Sequence, residues 1–190
     1  DPNCEISING SVRNIHSLPT AELKANIAKL YPHRLNISNK WGDASFHANI
    51  YANGTGNSIS NLFGKLTVDD FRLLSPTEDY TISSLEASMS PRQLTVQSDF
   101  GKIDIEGAYN FQTLKESILG ILKDKLPTMP GLERTVYRAE NDFRLNADIT
   151  DTKWFQILFG VPLHAVKPIH LTARIDDSKR FVAADVDMQD

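Results

Sequence analysis

Apolar and polar residues alternate along most of the chain, which is the pattern of strands with one buried face and one solvated face. One of the longer runs consists of Phe46, Ala48, Ile50 and Ala52. About ten such runs are separated by turn-forming residues. The positions between the apolar residues hold mostly Thr, Gln, Lys, Asp, Arg and Asn. A sheet with one wet face indicates antiparallel rather than buried parallel pairing.

Two details of the alternation carry local predictions. Leu35 and Ile37 alternate with polar residues and are assigned to a short strand. Farther along, the alternation slips by one residue at Asp69 and Asp70. A one-residue slip within an otherwise regular strand predicts a β-bulge at these two aspartates.

Three segments break the two-residue period and predict helices, over residues 21–31, 111–126 and 151–159. In the first segment, Leu23, Ile27 and Leu30 recur at helical spacing after Thr20, a suitable N-cap. The second is an amphipathic segment of about four turns that ends at Pro127. The predicted fold class is therefore mainly β with two or three inserted helices, a β+α arrangement.

A one-faced sheet must cover its apolar side, and the predicted helices are too small for this task. Ten strands spaced 4.8 Å apart would span roughly 45 Å, whereas a helix over 111–126 would be about 24 Å long and about 10 Å wide. The sheet is therefore either a closed β-sandwich or a curled antiparallel groove with an apolar interior. The residues expected to line that groove are Leu66, Val68, Leu94, Val96, Ile103, Ile105, Phe143, Leu145, Ile149, Leu171 and Ile175.

The predicted helices raise a second open question, which is whether they cover the groove. A helix over 111–126 would lid the groove, lie outside it, or join a partner, although such helices most often pack against a core. The apolar residues expected on a lid or partner helix are Leu114, Ile118, Ile121, Leu122, Trp154 and Phe155.

The composition excludes several classes of function and site but does not identify the function. The chain has 190 residues and a formal net charge of −4, which argues against nucleic acid as a partner because phosphate binding needs clustered Lys and Arg. Its single cysteine, Cys4, excludes an internal disulfide and a cysteine-based zinc site. No stretch has the roughly 20 apolar residues of a membrane helix, and the first residues do not form a signal peptide.

The sequence carries few features of catalytic chemistry. No nucleophile elbow, dinucleotide-binding fingerprint or phosphate-binding loop occurs. His164 and His170 flank a proline-containing turn and are interpreted as solvated strand-edge residues rather than a metal pair. Asp176 and Asp177 lack the ligand spacing of a calcium loop and are assigned to a turn. We expect a protein that is not an enzyme and has no cofactor or metal.

Several segments resemble the TamB/AsmA-like family, in particular the translocation and assembly module TamB of Bacteroidetes-type bacteria. GKLTVDDFRLLSP, residues 64–76, resembles the family's strand pairs. LEASMSPRQLTVQSDFGKIDIEGAYNFQTLKESI, residues 85–118, is similar to its strand–turn–strand units. NDFRLNADITDTKWFQILFGVPLHAVKPIHLTARIDD, residues 141–177, is similar to a later segment of the family, with Ala173 where a glycine is expected.

The resemblance implies a fold and a function. Family members are periplasmic, anchored by an N-terminal inner-membrane helix that is not in this sequence, and reach towards a BamA-like barrel in the outer membrane. Their repeats form a taco-shaped β-groove that is linked to phospholipid transport between the membranes and to outer-membrane protein assembly. The chain is then a single groove segment over 1–190, with sub-repeats at 1–62, 63–132 and 133–190. The expected ligand is a phospholipid or another molecule with acyl chains.

Two alternatives remain open at this point. A scaffold could offer sheet edges to nascent outer-membrane strands, with Lys65 and Arg174 as edge positions. A closed β-sandwich would instead indicate a binding or adhesion module without a lipid groove.

Overall fold

The fold is described by a computed structural model, which covers residues 2–58, 61–76, 79–125, 128, 140–153 and 167–188. Its strands are β1 (Cys4–Arg13), β2 (Thr20–Leu30), β3 (Ser45–Thr55), β4 (Phe63–Leu74), β5 (Asp79–Ser90), β6 (Gln93–Ser98), β7 (Gly101–Ala108), β8 (Asp142–Ile149), β9 (Ile169–Asp176) and β10 (Phe181–Met188). The helix α1 (Phe111–Lys125) lies between β7 and β8 in the chain.

The ten strands belong to one sheet and follow one another in it in chain order, from β1 to β10. Pairing is antiparallel between successive strands from β1 to β4 and again from β7 to β10. The prediction of a mainly β, antiparallel fold is confirmed. A sandwich needs two sheets, whereas all strands among the described residues share one, with β1 and β10 at its ends.

The helix predicted over 21–31 is wrong, because these residues form strand β2. The sequence of this segment satisfies both periods: Leu23 and Ile27 are spaced for a helix, but Leu23, Ala25 and Ile27 also alternate as in a strand. Strand pairing on both sides decides the outcome, since Leu23 pairs with Gly10 of β1 and with Ala52 of β3. Tertiary pairing therefore overrides local helix propensity here.

The other local predictions have mixed outcomes. The strand predicted at Leu35 and Ile37 is wrong, because both residues lie in a series of turns between β2 and β3. The bulge is confirmed, since the β3–β4 register shifts opposite Asp70, whose φ is 52°. The helix at 111–126 is confirmed as α1. The helix expected at 151–159 lies mostly outside the described residues, so only α1 is an established helix among them.

The chain divides into two compact units. The N-terminal unit comprises Asp1–Ser88 and Val96–Phe100, and the C-terminal unit comprises Met89–Thr95 and Gly101–Asp190. Neither Lys65 nor Arg174 is at an edge, because β4 and β9 are interior strands of the sheet. The N-terminal unit contains strands β1–β4, most of β5 and the end of β6 without a described helix, whereas α1 belongs to the C-terminal unit.

Candidate functional site

One face of β1–β4 is apolar across all four strands. Residues paired directly across antiparallel strands lie on the same face, so the registers identify this surface. Ile8 pairs with Ala25, and Ala25 in turn pairs with Ile50, which pairs with Val68. The N-terminal apolar face, as we define it, consists of Ile6, Ile8, Val12, Ala21, Leu23, Ala25, Ile27, Ala48, Ile50, Ala52, Leu66 and Val68.

The N-terminal apolar face is exposed over much of its area. Ile8 is 67% exposed, Val12 is 58% exposed and Leu23 is 40% exposed. Of its members only Ala48 is buried, and no described helix lies within this unit to cover the others. Contiguous apolar patches of more than a few hundred Å² are uncommon on soluble monomers and usually mark a site of interaction.

Aromatic residues border the N-terminal apolar face at the β2–β3 connection. The ring of Phe46 contacts those of Trp41 and Phe71 edge-on, with centroid separations of 5.1 Å and 6.0 Å. Phe46 pairs with Leu30 on one side and with Leu73 on the other. The apolar surface thus extends to a packed aromatic group at this end, and edge-on geometry is the favoured one for such rings.

The apolar face of the C-terminal unit is more fully packed. Ile105, Phe143 and Ile175 are each at most 5% exposed and share one buried cluster with Ile121 of α1. A second cluster centres on Ile149, with Leu171 against it. Ile103 and Leu145 contact both clusters. At β10, however, Val186 and Met188 are 59% and 61% exposed, although they pair with Leu171 and Ile169 of the same face.

Helix α1 covers part of this C-terminal face. Ile121 is 1% exposed, and Leu114 and Ile118 pack against the same cluster, whereas Leu122 is half-buried. Leu114, Ile118 and Ile121 therefore lie against the sheet, in contact with the buried cluster. Trp154 and Phe155, the other two predicted lid residues, lie outside the described residues.

A buried polar network holds α1 in place. Asp177, which is 1% exposed, accepts at Oδ2 from the Ser117 hydroxyl at 2.7 Å and from the backbone N–H groups of Asn141 at 2.8 Å and Glu140 at 3.1 Å. The Asn141 amide donates to Ser117 Oγ at 2.8 Å and to Thr113 Oγ1 at 3.3 Å. Asp177 Oδ1 is buried and finds no hydrogen-bond partner among the described residues. Buried polar groups in such a network fix one arrangement of the helix, because each lost bond leaves a desolvated group.

No protein-family model matches the chain, and no curated protein or solved structure is significantly similar to it. The TamB/AsmA-like resemblance therefore stays a prediction. Along the part of the chain that the structure describes, no helix has both the length and the apolar character needed to cross a membrane.

The structure separates the predicted lining residues into two groups. Leu94, Ile103, Ile105, Phe143, Leu145, Ile149, Leu171 and Ile175 belong to the clusters of the C-terminal unit. Leu66, Val68 and Val96 are half-buried residues of the N-terminal unit. The most exposed apolar surface was missed, because residues 21–31 were interpreted as a helix. The strict alternation of Ala21, Leu23, Ala25 and Ile27 was the signal that pointed to it.

Within the described ranges, no three His, Cys, Asp or Glu residues are placed to share a metal ion. His170 Nδ1 lies 2.6 Å from Asp148 Oδ1 on the polar face. The pKa of Asp176 is well below its usual range, chiefly because the Lys179 ammonium donates to it at 2.8 Å, with a further bond from Ser178. Asp176 is thereby fixed as a carboxylate at the end of β9, where the turn to β10 begins.

Proposed function

We propose that the chain is a non-enzymatic segment of a TamB-like protein that binds the acyl chains of phospholipids on the N-terminal apolar face. The observation that carries the proposal is the exposure of Ile8, Val12 and Leu23 on a face where every paired position is apolar or glycine. Burial of methylene groups contributes about 0.8 kcal/mol each and is non-directional. An acyl chain lying on such a surface is held without a fixed register, as transport requires.

The proposed lipid site is an open face and not an enclosed cavity. In the C-terminal unit, Ile105, Phe143 and Ile175 are already buried beneath α1, so a ligand there would need the helix to move. Within the C-terminal unit, Val186 and Met188 on β10 are exposed apolar residues. Four further parts of this proposal rest on the resemblance. They are the curled groove, the periplasmic location, the inner-membrane anchor elsewhere in the protein and the BamA-like partner.

Replacing Ile8 with aspartate tests the lipid site. An ionised carboxylate on the N-terminal apolar face resists contact with hydrocarbon, and the lost side-chain burial is about 1.5–3 kcal/mol. We expect the affinity for cis-parinaric acid, a fluorescent acyl-chain probe, to fall at least about tenfold. Mass spectrometry of co-purifying lipids should show a matching loss of phospholipid.

The matched control is Ser11→Asp, which adds the same charge to the same strand on its polar face, where Ser11 pairs with Glu22. Its probe affinity should stay close to that of the wild-type protein. Equal probe binding by the Ile8→Asp variant and the wild type, with both folded, would contradict a lipid site on this face.

Strand β1 supports a second candidate function, the pairing of nascent outer-membrane strands. It has 10 residues, lies at one end of the sheet order, and is exposed from Glu5 to Arg13. A membrane-spanning β-strand has about 9–11 residues and also alternates apolar and polar positions. An incoming strand could therefore extend the sheet from β1 by backbone hydrogen bonding.

Site-specific crosslinking tests this second function. A photo-crosslinking residue in place of Ser7 on β1 should capture an unfolded outer-membrane barrel protein. The same residue in place of Asn146, exposed on the interior strand β8, should not. Absence of capture from Ser7, or equal capture from both positions, would count against pairing at β1.

A further inference from the structure

The opposite, polar face of β1–β3 carries an unusual set of asparagines. Asn9, Asn26, Asn49 and Asn53 all alternate with residues of the N-terminal apolar face. Asparagine is depleted in strands, where threonine would solvate the surface with better strand propensity. Positions that violate local preference without a compensating gain in the fold are often functional. The set therefore calls for an explanation beyond solubility.

Two of these asparagines, Asn26 and Asn49, form a chain of hydrogen bonds across the strands that ends at Asp70. The Asn26 amide donates to Asn49 Oδ1 at 2.6 Å, and the Asn49 amide donates to Asp70 Oδ2 at 3.3 Å. Within strand β3, the Asn53 amide donates to the Tyr51 hydroxyl at 3.1 Å. Because each amide has two donor hydrogens and an acceptor oxygen with two lone pairs, the Asn26 and Asn49 amides keep further bonding capacity of both kinds.

A shallow hollow of about 380 Å³ lies over this chain of amides, within the N-terminal unit. It is lined by Asn9, Lys24, Asn26, Asn49, Tyr51 and Asp69, together with a serine and two apolar residues. The volume is within the range of small-ligand sites, about 300–1,000 Å³. The registers place Ser7, Asn26, Asn49 and Asp69 in one row across the strands and Asn9, Lys24 and Tyr51 in the next.

The charges at the hollow exclude most classes of ligand. The carboxylates of Asp69 and Asp70 repel an anionic ligand. The Lys24 ammonium does not offset them, because it is paired with Glu22 at 3.4 Å and lies 5.4 Å from the centre of the Tyr51 ring. Nucleic acid needs clustered cations, which this surface lacks. A peptide strand needs a free backbone edge, whereas β2 and β3 are paired on both sides. An uncharged ligand with many hydrogen-bonding groups remains.

We propose that this polar hollow binds a neutral saccharide, either free or carried by a lipid. Each sugar hydroxyl is both donor and acceptor, and so are the amides of Asn9, Asn26 and Asn49. Tyr51 adds an aromatic side chain in the row of Asn9 and Lys24. Because the hollow is open to water, we expect binding in the millimolar range rather than tight binding. The proposal does not rest on the lipid function, because it uses the other face of the strands.

The test is titration of the isotope-labelled full chain with cellohexaose, chitohexaose and maltohexaose, followed by NMR of the asparagine side-chain amides. At least one neutral hexasaccharide should shift the Asn26 and Asn49 amide signals and leave that of Asn146 on β8 unchanged. An Asn26→Ala/Asn49→Ala double variant should bind at least about tenfold more weakly. Asn146→Ala, an equal truncation on the polar face of β8, should bind as the wild type does.

Several outcomes would overturn the saccharide site. These are no shift with any of the three sugars at millimolar concentration, tighter binding of anionic oligogalacturonate, or equal loss in the Asn146→Ala variant. Octyl glucoside, which has both a sugar and an alkyl chain, distinguishes the two faces. If the Ile8→Asp variant loses octyl glucoside binding and the Asn26→Ala/Asn49→Ala variant keeps it, the ligand binds at the lipid site. That result would also overturn the saccharide proposal. The reverse pattern supports it, even if the lipid proposal fails. The chemical-shift changes of the wild-type protein need no variant, so they still test the saccharide site if the double variant does not fold.

Discussion

Replacement of Phe143 with alanine should destabilise the C-terminal unit by about 3–5 kcal/mol. Phe143 is 3% exposed and lies in the buried cluster of Ile105, Ile121 and Ile175, between the sheet and α1. Truncation removes its transfer free energy and leaves a cavity that the rigid sheet cannot close. Urea unfolding followed by circular dichroism would measure the loss in the free energy of unfolding.

The matched control for this variant is Phe181→Ala on β10. Phe181 is 46% exposed, so the same truncation there should cost less than about 1 kcal/mol. Equal losses at the two positions would contradict the packing of α1 on the sheet. A large loss at Phe143 alone would mean that this part of the predicted groove is a protein core, closed to ligands while α1 is docked.

Gly107→Ala should be at least as damaging, with a loss of more than about 3 kcal/mol or no folded protein. Gly107 has a φ of 125°, a region that residues with a Cβ rarely adopt. An added Cβ would lie 2.2 Å from the Asp142 carbonyl oxygen and 2.7 Å from Phe143 Cα, both of them backbone atoms of the paired strand. Strand β8 would have to move away from β7 at this point.

Gly42→Ala provides the comparison for Gly107. Gly42 also has a positive φ, of 53°, but nothing lies within 4 Å of an added Cβ. Its loss should therefore be limited to backbone strain, about 1–2 kcal/mol. Thermal unfolding of the two variants separates strain from collision. Similar melting temperatures would show that the close approach of β7 and β8 at Gly107 can relax.

The sequence predicted the parts of the fold that local patterns determine. Helix α1 was placed within one residue of its end, because its apolar residues follow only the helical period and Pro127 terminates it. The bulge at Asp70 was visible because the alternation itself slips there. Strand β2 was not predictable in the same way, since Leu23 and Ile27 satisfy both periods and only pairing with β1 and β3 decides between them.

The candidate site was predictable only in part. Alternation identifies which residues share a face, and it correctly grouped Ile105, Phe143 and Ile175. It does not show which portion of a face another element covers, so lining and core residues could not be separated. The network around Asp177 depends on residues far apart in the chain, and no local pattern marks it. The amide chain on the polar face was missed for the same reason, because it exists only once the registers of β1–β4 are known.

The buried network also bears on the order in which the C-terminal unit folds. Ser117 and Asp177 are 60 positions apart, so α1 leaves the ribosome well before its anchoring carboxylate does. Closing a chain loop of this length costs conformational entropy before any contact is gained, and such long-range contacts slow folding. Until Asp177 is made, α1 lacks the hydrogen bond from Ser117 that anchors it. The C-terminal end of β9 therefore has to be in place before this network can fix the helix.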